Sequence, residues 1–155
     1  MLFRSGAYGI GWSLALACDV IFAAEDAKFG APFVQFGLVP DGGAAWFLTR
    51  RLGRQRAAEL ILSGRTLTAA EAMDLGLISR LARAGQTVAD ALAFAAGLGA
   101  GNRQAVELTK RLIQISDTGD LAASHALELA YCVTAQGGQE VARAREAFAQ
   151  KKTKG

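Results

Sequence analysis

Short apolar segments near the start of the chain give way to longer segments with a helical period. Residues 20–24, Val-Ile-Phe-Ala-Ala, are β-branched and aromatic and predict a buried strand, and a second extended segment ends near Pro32. A further strand is predicted at 77–81. Helices are predicted over the ranges 44–51, 55–63, 68–75, 86–99, 103–117, 120–136 and 139–149. Strands followed by a mostly helical remainder predict an α/β or α+β fold.

Glycines and capping residues indicate where several of these elements end. Gly53, Gly64 and Gly76 follow predicted helices, where C-terminal caps are expected. Thr68 and Glu71 have the spacing of a capping box at a helix N-terminus. Residues 5–11, Ser-Gly-Ala-Tyr-Gly-Ile-Gly, predict a loop where the backbone approaches another group closely. Taken alone, this loop is more typical of a tight turn before a buried helix.

The composition argues against several classes of function. The 155 residues are 52% hydrophobic and 20% charged, which is typical of a globular domain. The net charge of +3 is spread along the chain, so no nucleic-acid partner is expected, and the arginines within 50–56 are interpreted as a solvated helix face. One histidine and two distant cysteines argue against a metal site and fit a reduced cytoplasm. No segment resembles a membrane span or a signal peptide.

Two stretches of the sequence resemble the enoyl-CoA hydratase/isomerase (crotonase) family. Residues 6–19 read Gly-Ala-Tyr-Gly-Ile-Gly-Trp-Ser-Leu-Ala-Leu-Ala-Cys-Asp, and residues 27–43 read Ala-Lys-Phe-Gly-Ala-Pro-Phe-Val-Gln-Phe-Gly-Leu-Val-Pro-Asp-Gly-Gly. The order and spacing of motifs agree with the family over nearly all of residues 6–82, and more loosely over 83–155. This ordered series is far more specific than any one glycine motif.

The resemblance implies an α/β fold, the C-terminal part of a crotonase-type ββα spiral followed by a helical region. Residues 1–82 would form a partial core with the catalytic segment, and 83–155 a helical region for trimerisation and CoA capping. The family's first strands, its other oxyanion donor and most adenine contacts would lie in a part that this chain lacks, so we expect a truncated reading frame. The implied partners are an acyl-CoA substrate, with no separate cofactor, and identical subunits in a homotrimer or dimer of trimers in the cytoplasm.

Family members hold the thioester oxygen with two backbone N–H groups, and the resemblance assigns one of them to Ile10, between Gly9 and Gly11. An N–H in the first turn of a helix has no intrahelical partner, and the helix dipole favours an anion there. Removing a proton next to a thioester places negative charge on its oxygen, and one such donor is worth roughly 3–4 kcal/mol. The flanking glycines let a substrate approach the backbone.

Three positions where the family carries carboxylates distinguish its reaction types. Hydratases use two glutamates, at positions that hold Ser13 and Phe33 here, so water addition is disfavoured and Ser13 is expected only to contact substrate. Double-bond isomerases carry an acid at the position of Asp41. The context of Asp41 is similar to that in phenylacetate-pathway isomerases, which act on ring-epoxidised phenylacetyl-CoA and shift double bonds in enoyl-CoA chains. Asp41 would move a proton between two substrate carbons, although Pro-Asp-Gly is also a common turn sequence.

Further side chains complete the predicted site. Phe33, Phe36 and Trp46 would form apolar walls that exclude water, with plain core packing as the alternative for both phenylalanines. Phe148 and Lys151 resemble a C-terminal motif that contacts the CoA nucleotide, with a frayed basic tail as the alternative. Two other functions stay open. One is a hydratase or another thioester enzyme with unrecognised catalytic groups, and the other is a non-catalytic CoA-binding subunit.

Overall fold

Two three-stranded sheets and a series of helices make up the structure, a computed structural model that describes residues 1–99, 102–136, 141–143 and 145–146. In chain order the elements are β1 (Leu2–Phe3), β2 (Gly6–Tyr8), α1 (Ile10–Leu16), β3 (Phe22–Ala24), β4 (Lys28–Gly30), a 3-10 helix (Val34–Phe36), α2 (Ala44–Leu52), α3 (Arg54–Ser63), β5 (Thr66–Thr68), α4 (Ala69–Asp74), β6 (Arg80–Ala82), α5 (Thr87–Gly99), α6 (Arg103–Thr118) and α7 (Leu121–Gln136). The chain divides into two compact units, Met1–Ala93 and Phe94–Gly155. The predicted α/β class is confirmed, and the functional boundary at residue 82 stays a prediction.

Parallel pairing predominates in the two sheets of the first unit. In one sheet β3 lies between β1 and β6 and is parallel to both. In the other sheet β4 pairs in parallel with β2 and antiparallel with β5. The predicted loop at 5–11 is therefore wrong over Gly6–Tyr8, which form β2. Gly6 does mark a close approach of the backbone, because a β-carbon there would collide with the carbonyl oxygen of Lys28 in β4.

The core of the first unit holds the two helices that begin at the candidate site. Trp12 and Leu16 of α1 are fully buried, and the ring centroid of Trp12 lies 4.5 Å from that of Phe29 in β4. Leu48 of α2 and Leu60 of α3 are buried in the same cluster. Burying a side chain of this size stabilises a fold by roughly 1.5–3 kcal/mol. The positions of α1 and α2 are thus fixed by packing.

Helix ends in the first unit follow the predicted caps. α3 ends at Ser63 and is capped by Gly64, whose φ of 61° lies in the left-handed region. α4 begins with the predicted capping box: the Glu71 N–H donates to Thr68 Oγ1 at 3.2 Å, and the Thr68 N–H donates to the Glu71 carboxylate at 2.8 Å. The backbone and hydroxyl hydrogen bonds from Thr68 lower the pKa of Glu71 from its ordinary value of 4.5. Both predictions are confirmed.

The strand predicted at 77–81 is wrong in its first half. β6 covers only Arg80–Ala82. The N–H groups of Leu77 and Ile78 donate to the carbonyl of Ala72 in α4, at 2.8 and 3.4 Å. A residue whose N–H is bonded to the preceding helix cannot also donate that N–H to a strand ladder. The strand therefore begins later than the apolar pattern indicates.

Helices α6 and α7 contact each other in the second unit. The hydroxyl oxygens of Ser116 and Ser124 lie 2.6 Å apart between them, and Ser124 is buried. Asn102 caps α6 by accepting a hydrogen bond from the Ala105 N–H at 2.8 Å. The structure confirms the predicted helices at 86–99, 103–117 and 120–136. Most of the helix predicted over 139–149 lies outside the described residues. No helix in the described ranges is long and apolar enough to cross a membrane.

Candidate active site

The predicted oxyanion loop forms the start of α1. Gly9 has a φ of 54°, and its N–H donates to the carbonyl of Gly30 at 3.0 Å. The helix begins at the next residue, Ile10, and Gly9 has no side chain to cap the first turn. Backbone N–H groups in a first turn have no partner within their helix. The amide of Ile10 lies in this turn, as its predicted role requires.

Asp41 and Gly42 pack directly on this turn. The Ser13 hydroxyl lies 2.9 Å from the main-chain carbonyl oxygen of Asp41 and 3.2 Å from that of Gly9. A β-carbon at Gly42 would collide with the end of the Ile10 side chain and lie 2.9 Å from the Cβ of Ser13. The structure therefore brings together predicted site residues from two distant segments of the chain.

Asp41 lies just before α2. Its carbonyl oxygen accepts a hydrogen bond from the Ala44 N–H at 3.1 Å, and the N-cap residue Gly43 has a left-handed φ of 85°. This is the local turn expected of Pro-Asp-Gly, and it uses the main-chain carbonyl of Asp41. The catalytic role would instead use the carboxylate, and Asp41 is exposed. The turn and the predicted chemistry are thus compatible, because they use different groups of one residue.

Trp46 presents a partly open aromatic surface in the first turns of α2. The residue is 45% exposed, and its ring lies at nearly a right angle to the Phe47 ring, with centroids 5.0 Å apart. The guanidinium carbon of Arg50 lies 4.8 Å from the centre of the Trp46 ring. A cation–π contact of this kind is worth roughly 0.5–1 kcal/mol at an exposed site. Trp46 is therefore held by Phe47 and Arg50 while nearly half of the residue stays exposed.

Arg51 joins α2 to α1. Its Nη2 donates to the carbonyl oxygen of Leu16, the last residue of α1, at 2.6 Å. Carbonyl groups in the last turn of a helix have no intrahelical partner, and a cation is favoured there. The interpretation of the nearby arginines as a solvated face is therefore incomplete, because Arg51 holds one helix of the site against the other.

The two phenylalanines predicted as pocket walls differ in burial. Phe33 is only 6% exposed, and its ring lies 3.8 Å from the position that a β-carbon on Gly9 would take. Phe36, in the 3-10 helix, is 74% exposed. Further exposed apolar side chains lie at the end of β2, at the start of α1 and after the 3-10 helix: Tyr8, Ile10, Leu38 and Val39. Apolar surface around a few polar groups is typical of a ligand-binding site.

Phe148 and Lys151 fall outside the described residues, so their contact with a CoA nucleotide stays a prediction. Among the residues that the structure describes, no group of three or more His, Cys, Asp or Glu side chains is arranged to hold a metal ion. A cavity of about 240 Å³ contains none of the predicted site residues, and its lining consists of Leu52, Arg56, Glu59, Leu60, Arg65 and Leu75.

Three residues contribute to the site in ways that the sequence did not indicate. Ser13 is fully buried and its hydroxyl contacts main-chain carbonyls, Gly42 leaves room for α1, and Arg51 bonds the end of α1. The glycine pair at 42–43 was the only available signal, since two adjacent glycines in a turn suggest close packing as well as unusual dihedral angles. The contacts of Ser13 and Arg51 join distant segments, and no local pattern encodes them.

Sequence comparisons show which known proteins this chain is similar to. Residues 4–154 match a family model described as enoyl-CoA hydratase/isomerase. A probable enoyl-CoA hydratase of Mycobacterium leprae is 40% identical over 116 residues, which cover 75% of this chain and 45% of that relative. The 2,3-dehydroadipyl-CoA hydratase of Escherichia coli is 32% identical over 147 residues, which cover 95% of this chain and 58% of that relative.

Solved structures have the same fold. An enoyl-CoA hydratase from a Polaromonas species superposes with a TM-score of 0.89 at 36% identity, over 95% of this chain and 57% of that one. A Thermobifida fusca protein solved in complex with acetoacetyl-CoA gives a TM-score of 0.81 at 32% identity, over 87% of this chain and 53% of that one. The expected crotonase-type fold is confirmed. The chain spans about half the length of these relatives.

Proposed function

Because this chain belongs to the enoyl-CoA hydratase/isomerase family, we propose that it isomerises an acyl-CoA thioester through an enolate, by shifting a double bond or rearranging a ring-epoxidised acyl group. The observation that carries the proposal is the packing of the Asp41 segment on the turn that holds the Ile10 amide. One acidic side chain and one backbone donor, carried by two segments that pack on each other, are the groups that a proton shift next to a thioester requires.

The reaction needs one base and one site for negative charge. In a double-bond shift, the carboxylate of Asp41 removes a proton from the carbon next to the thioester carbonyl. The electron pair moves onto the thioester oxygen, where the N–H of Ile10 donates a hydrogen bond, worth roughly 3–4 kcal/mol in comparable sites. The protonated Asp41 then returns the proton to a carbon further along the chain. The proton count balances, and no water enters the product.

Isomerisation is preferred to hydration because of the residues at positions 13 and 33. Water addition needs one group to activate water and one to protonate carbon. Ser13 is fully buried and bonded to main-chain carbonyls, and Phe33 is a buried aromatic residue. The names of the relatives favour the alternative, since the Mycobacterium leprae and Escherichia coli proteins are both called hydratases. Hydration is therefore the second candidate function.

Two spectrophotometric assays distinguish these functions. A 3-hexenoyl-CoA probe gains the absorbance of a conjugated thioester when it is isomerised, whereas crotonyl-CoA loses that absorbance when it is hydrated. We expect the first signal from the wild-type chain and its reduction by at least about 100-fold in Asp41→Asn. CoA binding, measured by calorimetry, should persist in that variant. The control is Asp74→Asn, an exposed acid at the end of α4. Hydration of crotonyl-CoA without isomerisation, or full turnover by Asp41→Asn, would refute the proposal.

The finer assignments belong to the same proposal. The acetoacetyl-CoA complex of the Thermobifida fusca protein supports an acyl-CoA ligand. The similarity around Asp41 to phenylacetate-pathway isomerases supports a ring-epoxidised substrate, which a panel of acyl-CoA substrates would test. A homotrimer or dimer of trimers in the cytoplasm, with Phe148 and Lys151 at the CoA nucleotide, completes the proposal. Light scattering coupled to gel filtration measures the oligomeric state.

A further inference from the structure

We infer that Ser13 is a positioning residue, whose buried hydroxyl fastens the Asp41 segment to α1 and thereby sets where the Asp41 carboxylate lies. The effect of Ser13 on catalysis rests on the proposed function, whereas its role in holding the Asp41 segment does not. Ser13 was expected to contact substrate. Its surroundings indicate instead that it acts through Asp41.

The hydroxyl of Ser13 is placed between two main-chain segments. Its oxygen lies 2.9 Å from the carbonyl oxygen of Asp41 and 3.2 Å from that of Gly9, and the side chain is fully buried. A serine hydroxyl has a single proton to donate. Each of these carbonyls already accepts one backbone N–H: Gly9 accepts that of Ser13 at 3.0 Å, and Asp41 accepts that of Ala44 at 3.1 Å. The shorter distance makes the carbonyl oxygen of Asp41 the preferred acceptor of the hydroxyl proton.

Packing makes the same contact difficult to replace. A β-carbon at Gly42 would lie 2.9 Å from the Cβ of Ser13 and 3.5 Å from its Oγ, so the chain after Asp41 lies directly over the serine. A hydroxyl that cannot be reached by solvent or by a substrate is neither a nucleophile nor a proton donor to a ligand. What it can do is restrict the main chain of Asp41, from which the carboxylate extends.

The amide of Ala44 reports on this contact independently of any reaction. Ala44 is 1% exposed, and its N–H donates to the same carbonyl oxygen of Asp41 at 3.1 Å. If the hydroxyl of Ser13 holds that carbonyl in place, its removal lets the turn open more often. The Ala44 amide then exchanges with solvent deuterium faster, because exchange follows local opening.

The test compares Ser13→Ala with Ser124→Ala by hydrogen exchange of the Ala44 amide and by steady-state kinetics on 3-hexenoyl-CoA. Ser124 is a matched control, since it is another buried serine with a hydroxyl hydrogen bond, and it lies in the second unit. Loss of one hydrogen bond should accelerate Ala44 exchange in Ser13→Ala by about tenfold. We expect kcat of Ser13→Ala to fall by a similar factor, with KM within about twofold of the wild-type value. Ser124→Ala should change neither the exchange of the Ala44 amide nor kcat. Ser13→Cys, of similar size and with a weak S–H donor, should recover part of both effects.

The outcomes separate the two proposals. Unchanged exchange at Ala44 in Ser13→Ala overturns the inference, and so does faster exchange across the whole first unit, which would make Ser13 an ordinary core residue. Faster local exchange with unchanged kcat, in a wild type that isomerises the probe, overturns the positioning role. A wild type that does not isomerise the probe refutes only the proposed function, because the exchange measurement still decides whether Ser13 holds the Asp41 segment.

Discussion

Gly42 packs so closely on Ser13 that a β-carbon at position 42 would lie 2.9 Å from the Cβ of the serine. Gly42 also has a φ of 58°, which a residue with a side chain rarely adopts. We predict that Gly42→Ala lowers the free energy of unfolding by roughly 2–4 kcal/mol, as left-handed strain and forced displacement add together. Urea denaturation measures this change. Activity should fall as well, because the displaced segment carries Asp41.

Gly37 offers the matched control for that prediction. Its φ of 69° is similar, but a β-carbon there would meet no atom within 4 Å. Gly37→Ala should therefore show only the conformational part, about 1–2 kcal/mol. Equal losses of stability in the two variants would contradict the packing argument, since the contacts with Ile10 and Ser13 are what distinguish Gly42 from Gly37.

Arg51 is predicted to stabilise the arrangement of α1 and α2. Replacing it with Met keeps much of the aliphatic chain and removes the hydrogen bond to the Leu16 carbonyl, so the free energy of unfolding should fall by roughly 1–2 kcal/mol. Arg54→Met changes an exposed arginine at the start of α3 and should stay within about 0.5 kcal/mol of wild type. Chemical denaturation of both variants checks this difference. An equal effect would mean that the bond to Leu16 contributes nothing specific.

Phe33 and Phe36 separate stability from substrate binding. Phe33→Ala removes a buried ring and should cost roughly 3–5 kcal/mol of stability. Phe36→Ala removes a ring that is 74% exposed and should leave stability within about 0.5 kcal/mol while raising KM for an acyl-CoA. Thermal denaturation and steady-state kinetics make the comparison. If Phe36→Ala altered neither KM nor kcat, the ring would have no role as a wall of the site.

Glu71 makes the stability of the first unit depend on pH, in a direction that its lowered pKa determines. Hydrogen bonds from Thr68, and then the charge of Arg65, lower the pKa of this carboxyl group below 4.5 in the folded chain. A group with a depressed folded pKa contributes stability above its unfolded pKa and loses it as the pH falls through the folded value. The wild type should therefore exceed Glu71→Gln in stability at neutral pH, and the difference should shrink below about pH 4.5. Denaturation curves at several pH values test this, and a constant difference would contradict it.

Thr68 supplies the companion measurement for the same cap. Thr68→Ala removes the hydroxyl that accepts the Glu71 N–H and should cost about 1 kcal/mol at neutral pH. The variant should also move the pKa of Glu71 upward, toward its ordinary value, which a carboxyl NMR titration would detect. An unchanged pKa of Glu71 in Thr68→Ala would mean that the Thr68 hydroxyl contributes nothing to the shift.

The sequence predicted the helix ends whose caps are formed by residues close together in sequence. Gly64 and the Thr68–Glu71 box could be identified from spacing, because each cap is completed by neighbours in sequence. The boundaries of β2 and β6 could not, because they depend on which distant strand or helix uses each N–H group. Gly6 illustrates the difference: its spacing indicated a close approach, but only the structure identifies Lys28 of β4 as the neighbour.

The candidate site was likewise only partly predictable from the sequence. Family resemblance singled out Ile10 and Asp41 as a pair, and the structure places their segments in contact. The hydrogen bond from Ser13 that joins these segments spans 28 positions of sequence. No local sequence pattern around a serine predicts such a long-range hydrogen bond. The sequence also could not predict the difference in burial between Phe33 and Phe36. Both are apolar residues in one short motif, and only their packing shows that Phe33 is buried and Phe36 is exposed.

The sheet in which β3 lies between β1 and β6 also sets an order of events during synthesis. β3 ends at Ala24, and its second neighbour begins at Arg80, so roughly 55 residues must be added between them. At about 5–20 residues per second, this takes roughly 3–11 seconds. For that interval one edge of β3 has no strand beside it, and an unpaired edge can pair with a strand of another chain.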